Sequence, residues 1–144
     1  MDSRILVAVG TALLATLAGC VVETNDGGSG GPPPVTVVDS GSLVVDWTID
    51  GTKDPQQCDQ SGSATLDVLV TASDGSAAGE YQQSCRAFAT SIDLAAGSYS
   101  ADALLLDGAD QARTTSVHIA RFEILGNDQL TVPVDFSASS FYAP

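Results

Sequence analysis

The sequence predicts an all-β domain, an antiparallel β-sandwich of about seven strands, preceded by a signal peptide and a flexible tether. Three observations lead there. From Ser42 onward apolar residues recur at every second position, the period of a half-buried strand. Short clusters of Gly, Asn, Asp and Ser, such as Ser73-Asp74-Gly75-Ser76, Asp107-Gly108 and Gly126-Asn127-Asp128, separate the alternating stretches. After the N-terminal apolar run, no segment sustains the 3.6-residue period of an amphipathic helix.

The chain opens with the stub Met1-Asp2-Ser3-Arg4, then runs uncharged from Ile5 to Gly19. That run falls short of the roughly 20 residues a helix needs to span a bilayer core. A short charged stub, a compact apolar core and small residues at its end describe a secretory signal peptide over residues 1–19. A buried core helix would need a polar face, which this run lacks. Leu17-Ala18-Gly19-Cys20 resembles the lipobox of bacterial lipoproteins at all four positions. The resemblance implies that the Cys20 sulfur receives diacylglycerol, that cleavage falls just before it, and that the new amine is acylated, typically with palmitate. The membrane, reached through this lipid, is then the first partner, because two or more acyl chains hold firmly where one binds marginally. Val21 stands where an aspartate favours inner-membrane retention in such lipoproteins. The resemblance therefore implies the cell envelope, at the outer membrane of a Gram-negative bacterium.

Residues 20–41 read as a lipid-anchored tether. Gly/Ser-rich chain is flexible and Pro32-Pro33-Pro34 is stiff and extended; part of Val35–Val38 is the alternative start of an edge strand. The domain follows over residues 42–140. Leu43, Val45, Trp47 and Ile49 share one face of the first strand, with Asp46, Thr48 and Asp50 opposite. Leu66, Val68 and Val70 define the second. Phe88, Thr90, Ile92 and Leu94 define another, and Tyr99, Ala101, Ala103 and Leu105 the next; Leu104 and Leu106 suggest a far end covered on both sides. Leu130, Val132, Val134 and Phe136 form the last, where Pro133 demands an edge or an outward position because it has no N–H. In "TTSVHIARFEIL", Val117 and Ile119 fall out of step with Phe122 and Ile124. One extra residue near Ala120–Arg121, a β-bulge, would restore the register; a strand changing sheets there is the alternative. The core expected from these patterns is Leu43, Val45, Trp47, Leu66, Val68, Val70, Ile92, Leu94, Tyr99, Leu105, Leu130, Val132 and Val134.

"IDLAAGSYSADALLLDGADQ" resembles the Leu-x-x-Gly-x-Tyr turn and following strand of prealbumin-like and carboxypeptidase-regulatory-like sandwich domains, a pattern shared with Ig-like sandwiches. The resemblance implies that Leu94 is buried, Gly97 turns the chain and Tyr99 begins a core strand. Across the whole chain the layout is similar to small lipoproteins of Gram-negative bacteria, a likeness that implies no activity.

The chain carries 18 Asp and Glu against 5 Lys and Arg, a formal net charge of −13. Such a surface disfavours nucleic acid, whose binding relies on basic side chains displacing counterions, and anionic head groups likewise. With Cys20 assigned to lipid, Cys58 and Cys85 remain, and an even pair in an exported chain reads as a disulfide. Zinc would need more ligands than two sulfurs and His118.

Candidate chemistry is sparse. His118 is the single histidine, and no Gly-x-Ser-x-Gly elbow exists to present a nucleophile. Asp50, Asp54 and Asp59 crowd "DGTKDPQQCDQ", and Asp107 and Asp110 share another loop, so calcium is the metal to consider. The spacing of an EF-hand loop is absent, and Asp and Gly are ordinary turn residues. The expected function is a non-enzymatic envelope lipoprotein, without cofactor, that presents its sandwich for a structural role or to an envelope protein partner. The alternative is a calcium- or glycan-binding module. An exposed aromatic row would favour glycan; Trp47, Phe88, Tyr99, Phe122 and Phe136 lie on apolar stripes, leaving Tyr81, Phe141 and Tyr142 as the free candidates.

Overall fold

The structure, a computed structural model, describes residues 38–143. The signal-peptide segment, Cys20 and most of the tether lie outside the described residues. Seven strands form two sheets: β1 (Ser40–Ile49), β2 (Thr65–Ala72), β3 (Ala77–Ser84), β4 (Ala89–Ala95), β5 (Gly97–Leu106), β6 (Val117–Ile124) and β7 (Gln129–Phe136). One sheet has the order β4-β1-β7 and the other β3-β2-β5-β6. Val38 precedes β1 and is exposed, and the first strand among the described residues starts at Ser40; residues 35–37, the rest of the alternative edge strand, lie outside them.

Alternation in the sequence becomes the inner faces of the two sheets. Leu43, Val45, Trp47 and Ile49 of β1 meet Leu66, Val68 and Val70 of β2, with Ile92, Leu94, Ala101, Ala103, Leu105, Ile119, Ile124, Val134 and Phe136 completing the core. Tyr99, Leu130 and Val132, expected in the core, are half-buried and pack at its margin. Pro133 is exposed on β7, an edge strand, where its missing N–H breaks no central ladder.

The β6 bulge lies where the broken alternation put it. Tyr99 of β5 faces Phe122 while Ala101 faces Ile119, so Ala120 and Arg121 together oppose Ser100. That extra residue turns Ile119, Phe122 and Ile124 to one side, with the Phe122 ring stacked on Tyr99 at 6.1 Å. Of the Leu-x-x-Gly-x-Tyr stretch, Leu94 is buried as expected, whereas the chain bends at Ala96, Gly97 already opens β5, and Tyr99 is half-buried. The Tyr99 ring lies beside Gly97 with its hydroxyl donating to the Ala95 carbonyl at 2.9 Å.

Two features differ from the sequence expectation. The ladder between β1 and β7 is parallel, in a sandwich expected to be antiparallel. These strands lie at opposite ends of the domain, so no hairpin dictates their direction. Their pairing instead matches Leu43 with Leu130, Val45 with Val132, Trp47 with Val134 and Ile49 with Phe136, all facing inward. A helix, α1 (Pro55–Ser61), also occupies the stretch read as an aspartate-rich loop. Its signals are local: Asp54 caps the N-terminus, Pro55 begins the first turn and Gly62 closes the helix in the left-handed conformation. Seven residues are too few to show a period, and only Cys58 among them is buried.

Trp47 gathers these parts into one centre. Its indole N–H donates to the Cys85 carbonyl at 3.1 Å, and its backbone N–H donates to the Phe88 carbonyl at 3.0 Å. Cys85, buried at the start of a 3-10 turn (Cys85–Ala87), is bonded to Cys58 of α1 with Cα atoms 6.0 Å apart. Closing a loop of 27 residues of separation stabilises by about 3.5 kcal/mol on the chain-entropy model. Phe88 follows with φ 56°, a left-handed conformation costing roughly 1–2 kcal/mol for a side chain of this kind. Its ring is buried against Trp47 at 6.2 Å, which offsets that cost.

Trp47→Phe keeps most of the apolar volume but removes the indole donor from the Cys85 carbonyl. Urea unfolding should show a loss of about 1–3 kcal/mol, and Trp47→Ala a larger one of about 3–5 kcal/mol. Equal stability of Trp47→Phe and the parent would remove the hydrogen bond from the account.

Candidate functional site

The three aspartates considered for calcium are separated by the turn and helix that hold them. Asp50 has φ 48° and accepts the Ala138 N–H at 2.7 Å, tying the end of β1 to the chain beyond β7. Asp54 accepts the Gln56 N–H at 2.9 Å as the cap of α1. Asp59 pairs with Arg86 across the disulfide. Among the described residues, no three acidic, histidine or cysteine side chains converge to hold a metal ion. Asp107 is likewise structural. It accepts the Ala109 and Gln111 N–H groups, and these bonds, that from Gln111 foremost, hold its carboxyl below the usual range. Neighbouring Asp110 turns the chain with φ 58°.

His118 lies on the exposed side of β6, opposite Asp102 of β5, with its Nδ1 3.1 Å from the carboxylate. The Ser116 hydroxyl reaches the same carboxylate oxygen at 3.3 Å. Aspartate thus stands between serine and histidine, whereas nucleophile activation needs the serine on the imidazole. Of the aromatics left free by the sequence, Tyr81 and Phe141 pack against the core and Tyr142 is exposed. Tyr81 lies over Gly79, where a Cβ would meet its ring at less than 3 Å.

The concavities are open. A groove of about 370 Å³ on the outer face of the β1–β7 pair is lined by Asp46, Thr48, Lys53, Pro133, Val134 and Asp135. Its polar groups already serve one another: Thr48 Oγ1 and the Gly51 N–H both donate to Asp135 Oδ1, at 2.6 and 2.8 Å, and Lys53 pairs with Asp46.

The outer face of the four-stranded sheet is different. The register places Leu69 of β2 between Glu80 of β3 and Asp102 of β5, and Asp67 between Gln82 and Leu104. Leu69 is 40% exposed and Leu104 half-buried, an aliphatic strip set among carboxylates. Asp67 Oδ1 is shielded from solvent and has no hydrogen-bond partner. Burial pushes the Asp67 carboxyl above the usual carboxylate range. The charges of Glu80 and then Asp110 add to the rise, and the polar side chain of the facing Gln82 opposes it. The sequence does not join these residues, because Asp67, Glu80 and Asp102 become neighbours only through the strand register. Its signals were Leu69 and Leu104, apolar residues on the polar sides of alternating strands.

No protein-family model matches this chain, and no curated protein matches it in sequence. Among solved structures, the chain is similar to the TIE protein of Bacillus anthracis. The identity is 12%, the TM-score 0.46, and the match covers 67% of this chain and 16% of that one. It is also similar to a candidate polysaccharide-binding protein (DUF1812) of Bacteroides thetaiotaomicron. There the identity is 10%, the TM-score 0.41, and the coverage 64% of this chain and 46% of that one. The chain thus spans less than half of each. Likenesses this distant concern strand arrangement, and the fold they accompany is the β-sandwich described above.

Two measurements follow from the carboxylates. A raised pKa means that the folded state holds the Asp67 proton more tightly than the unfolded state, so ionised Asp67 opposes folding at pH above its folded value. Asp67→Asn should therefore raise the melting temperature at pH 7, and the gain should shrink as pH falls through the folded pKa towards the unfolded value. A gain that persists unchanged below pH 3 would point to another cause. Millimolar calcium should move the melting temperature by no more than about 2 °C, because Asp50, Asp54 and Asp59 each serve a separate local contact. A site filled to one hundred times its Kd would instead add about 2.7 kcal/mol.

Proposed function

We propose that this protein is a lipid-anchored, non-enzymatic interaction domain of the bacterial cell envelope, whose four-stranded sheet meets an envelope protein partner. The observation that carries this is the outer face around Leu69. A leucine 40% exposed, beside half-buried Leu104 and ringed by Asp67, Glu80 and Asp102, is apolar surface that no element among the described residues covers. Several acidic side chains at the ends of the sandwich instead serve caps, turns and pairs, as Asp50, Asp54, Asp59, Asp107 and Asp135 illustrate. The lipobox resemblance at Leu17-Ala18-Gly19-Cys20 supports the anchor, and Val21 supports the outer membrane. The Gly/Pro-rich tether supplies reach between lipid and sandwich.

Two results test this reading. Mass spectrometry of the native protein should find a chain that begins at Cys20 and carries added acyl mass, and Cys20→Ala should abolish that processing. A photo-crosslinking residue in place of Leu69 should join the protein to a discrete envelope protein in intact cells, whereas one in place of exposed Thr131 on β7 should not. An unmodified N-terminus elsewhere would end the anchor, and equal labelling from both positions would end the assignment of the face.

A further inference from the structure

The open edge of the four-stranded sheet deepens the proposed function, and rests on it, by specifying how a partner attaches. Two of the four sheet edges carry devices that discourage strand addition. β7 has Pro133, which lacks a donor, and β6 has the bulge at Ala120–Arg121, which breaks its repeat; on β4 only the last carbonyl, that of Ala95, is taken, by the Tyr99 hydroxyl, and this edge lies on the sheet away from Leu69.

β3 is the fourth edge, and from Gly79 to Ser84 it contains neither lysine nor proline. The direction of its backbone groups follows from the ladder. Cys85 donates its N–H to Ala64 on the β2 side, and antiparallel strands alternate, so Gln83, Tyr81 and Gly79 bond to β2. Ser84, Gln82 and Glu80 therefore turn their N–H and C=O groups to the open side. The Ser84 N–H is already held by Gln83 Oε1 at 3.2 Å, consistent with that direction. At the other end, Ala78 is the extra residue where Val70 faces Gly79 and Thr71 faces Ala77. Between these two limits, nothing among the described residues bonds the outward backbone groups of Glu80 and Gln82.

We infer that β3 is a docking edge for an extended, cationic segment of a partner protein, which adds as a fifth strand through the Glu80 and Gln82 backbone. Charge selects the occupant. Side chains of the added strand that point outward would lie beside Glu80 and Gln82 of β3, with Leu69 and Asp67 of β2 both one strand further in. Lysine or arginine alternating with an aliphatic residue suits that border, the head groups reaching the carboxylates and the stems covering Leu69. A second copy of the chain does not suit it, because each copy carries a net charge of −13 and would bring its own Glu80 to the seam.

The test uses detergent-solubilised full-length protein and a fluorescent peptide of alternating lysine and valine, six residues long, at about 0.15 M salt. A second peptide has the same sequence and charge but is N-methylated on alternate residues, so that it cannot complete a ladder. Fluorescence anisotropy should show binding of the first peptide and at least about tenfold weaker binding of the second. Gln82→Pro, which removes an outward N–H without touching the β2 ladder, should weaken the first peptide similarly. Glu80→Gln should weaken it several-fold and Asp93→Asn, on β4, should leave it unchanged. Equal affinity for the two peptides, no binding of the first, or a β3-dependent dimer by analytical ultracentrifugation would each overturn the inference. If Leu69 crosslinks persist in cells while the peptides fail to discriminate, the partner uses the face and not the edge, and the wider reading stands alone.

Discussion

The hydrogen bond from the Trp47 indole to the Cys85 carbonyl is the constraint on which the arrangement of the sandwich depends. Trp47 belongs to the central strand of one sheet, and Cys85 sits where the chain leaves the other. The disulfide to Cys58 adds α1 to the same point, and Phe88 accepts a left-handed backbone to keep its carbonyl on Trp47 and its ring against the indole. Three costs meet here: a buried carbonyl, a buried indole N–H and an unfavourable φ. Each is offset only while the others are in place, so the site acts as one cooperative unit rather than three separable contacts.

What the sequence disclosed and what it withheld divide along a physical line. Strands whose inner and outer residues differ in polarity, such as "LVVDWTID", declare themselves, because a one-residue slip would bury aspartate. The bulge was readable for the same reason, since Val117 and Ile119 could not share a face with Phe122 and Ile124 without it. The direction of β7 was not, because period-2 alternation is identical in parallel and antiparallel strands. Nor was α1, which is held by a cap, a proline, a glycine and a disulfide instead of an apolar stripe. The face around Leu69 depends on which strands become neighbours. A single-strand pattern contains no information about that.

Acidity also takes on a more specific meaning in the fold. Much of the negative charge is absorbed locally, as when Asp74 accepts both Ser76 groups, first the hydroxyl and then the backbone N–H, and is held below the usual carboxylate range. Asp67 is the opposite case, lifted by burial and by like charge from Glu80 and Asp110. Carboxylates of the first kind stabilise the turn they close. Those of the second kind oppose the fold slightly and are relieved by any cation that approaches them. Asp67 lies on the four-stranded face, whereas Asp74 and Asp107 lie in turns.

The parallel pairing of β1 and β7 has a mechanical consequence. β1 is the first strand after the N-terminal chain and is flanked on both sides, by β4 and by β7, through ladders of seven and eight residue pairs. A tension entering at Ser40 along the strand axis loads both ladders in shear, so their hydrogen bonds resist together instead of opening one at a time. Gly41 reinforces the entry point. It sits so close to the Leu125 and Asp128 carbonyls that any side chain there would collide with backbone, and Ser42 and Asn127 lock the same contact with bonds of 2.9 and 2.7 Å. The end of the domain at which β1 begins is therefore built to withstand a pull along that strand.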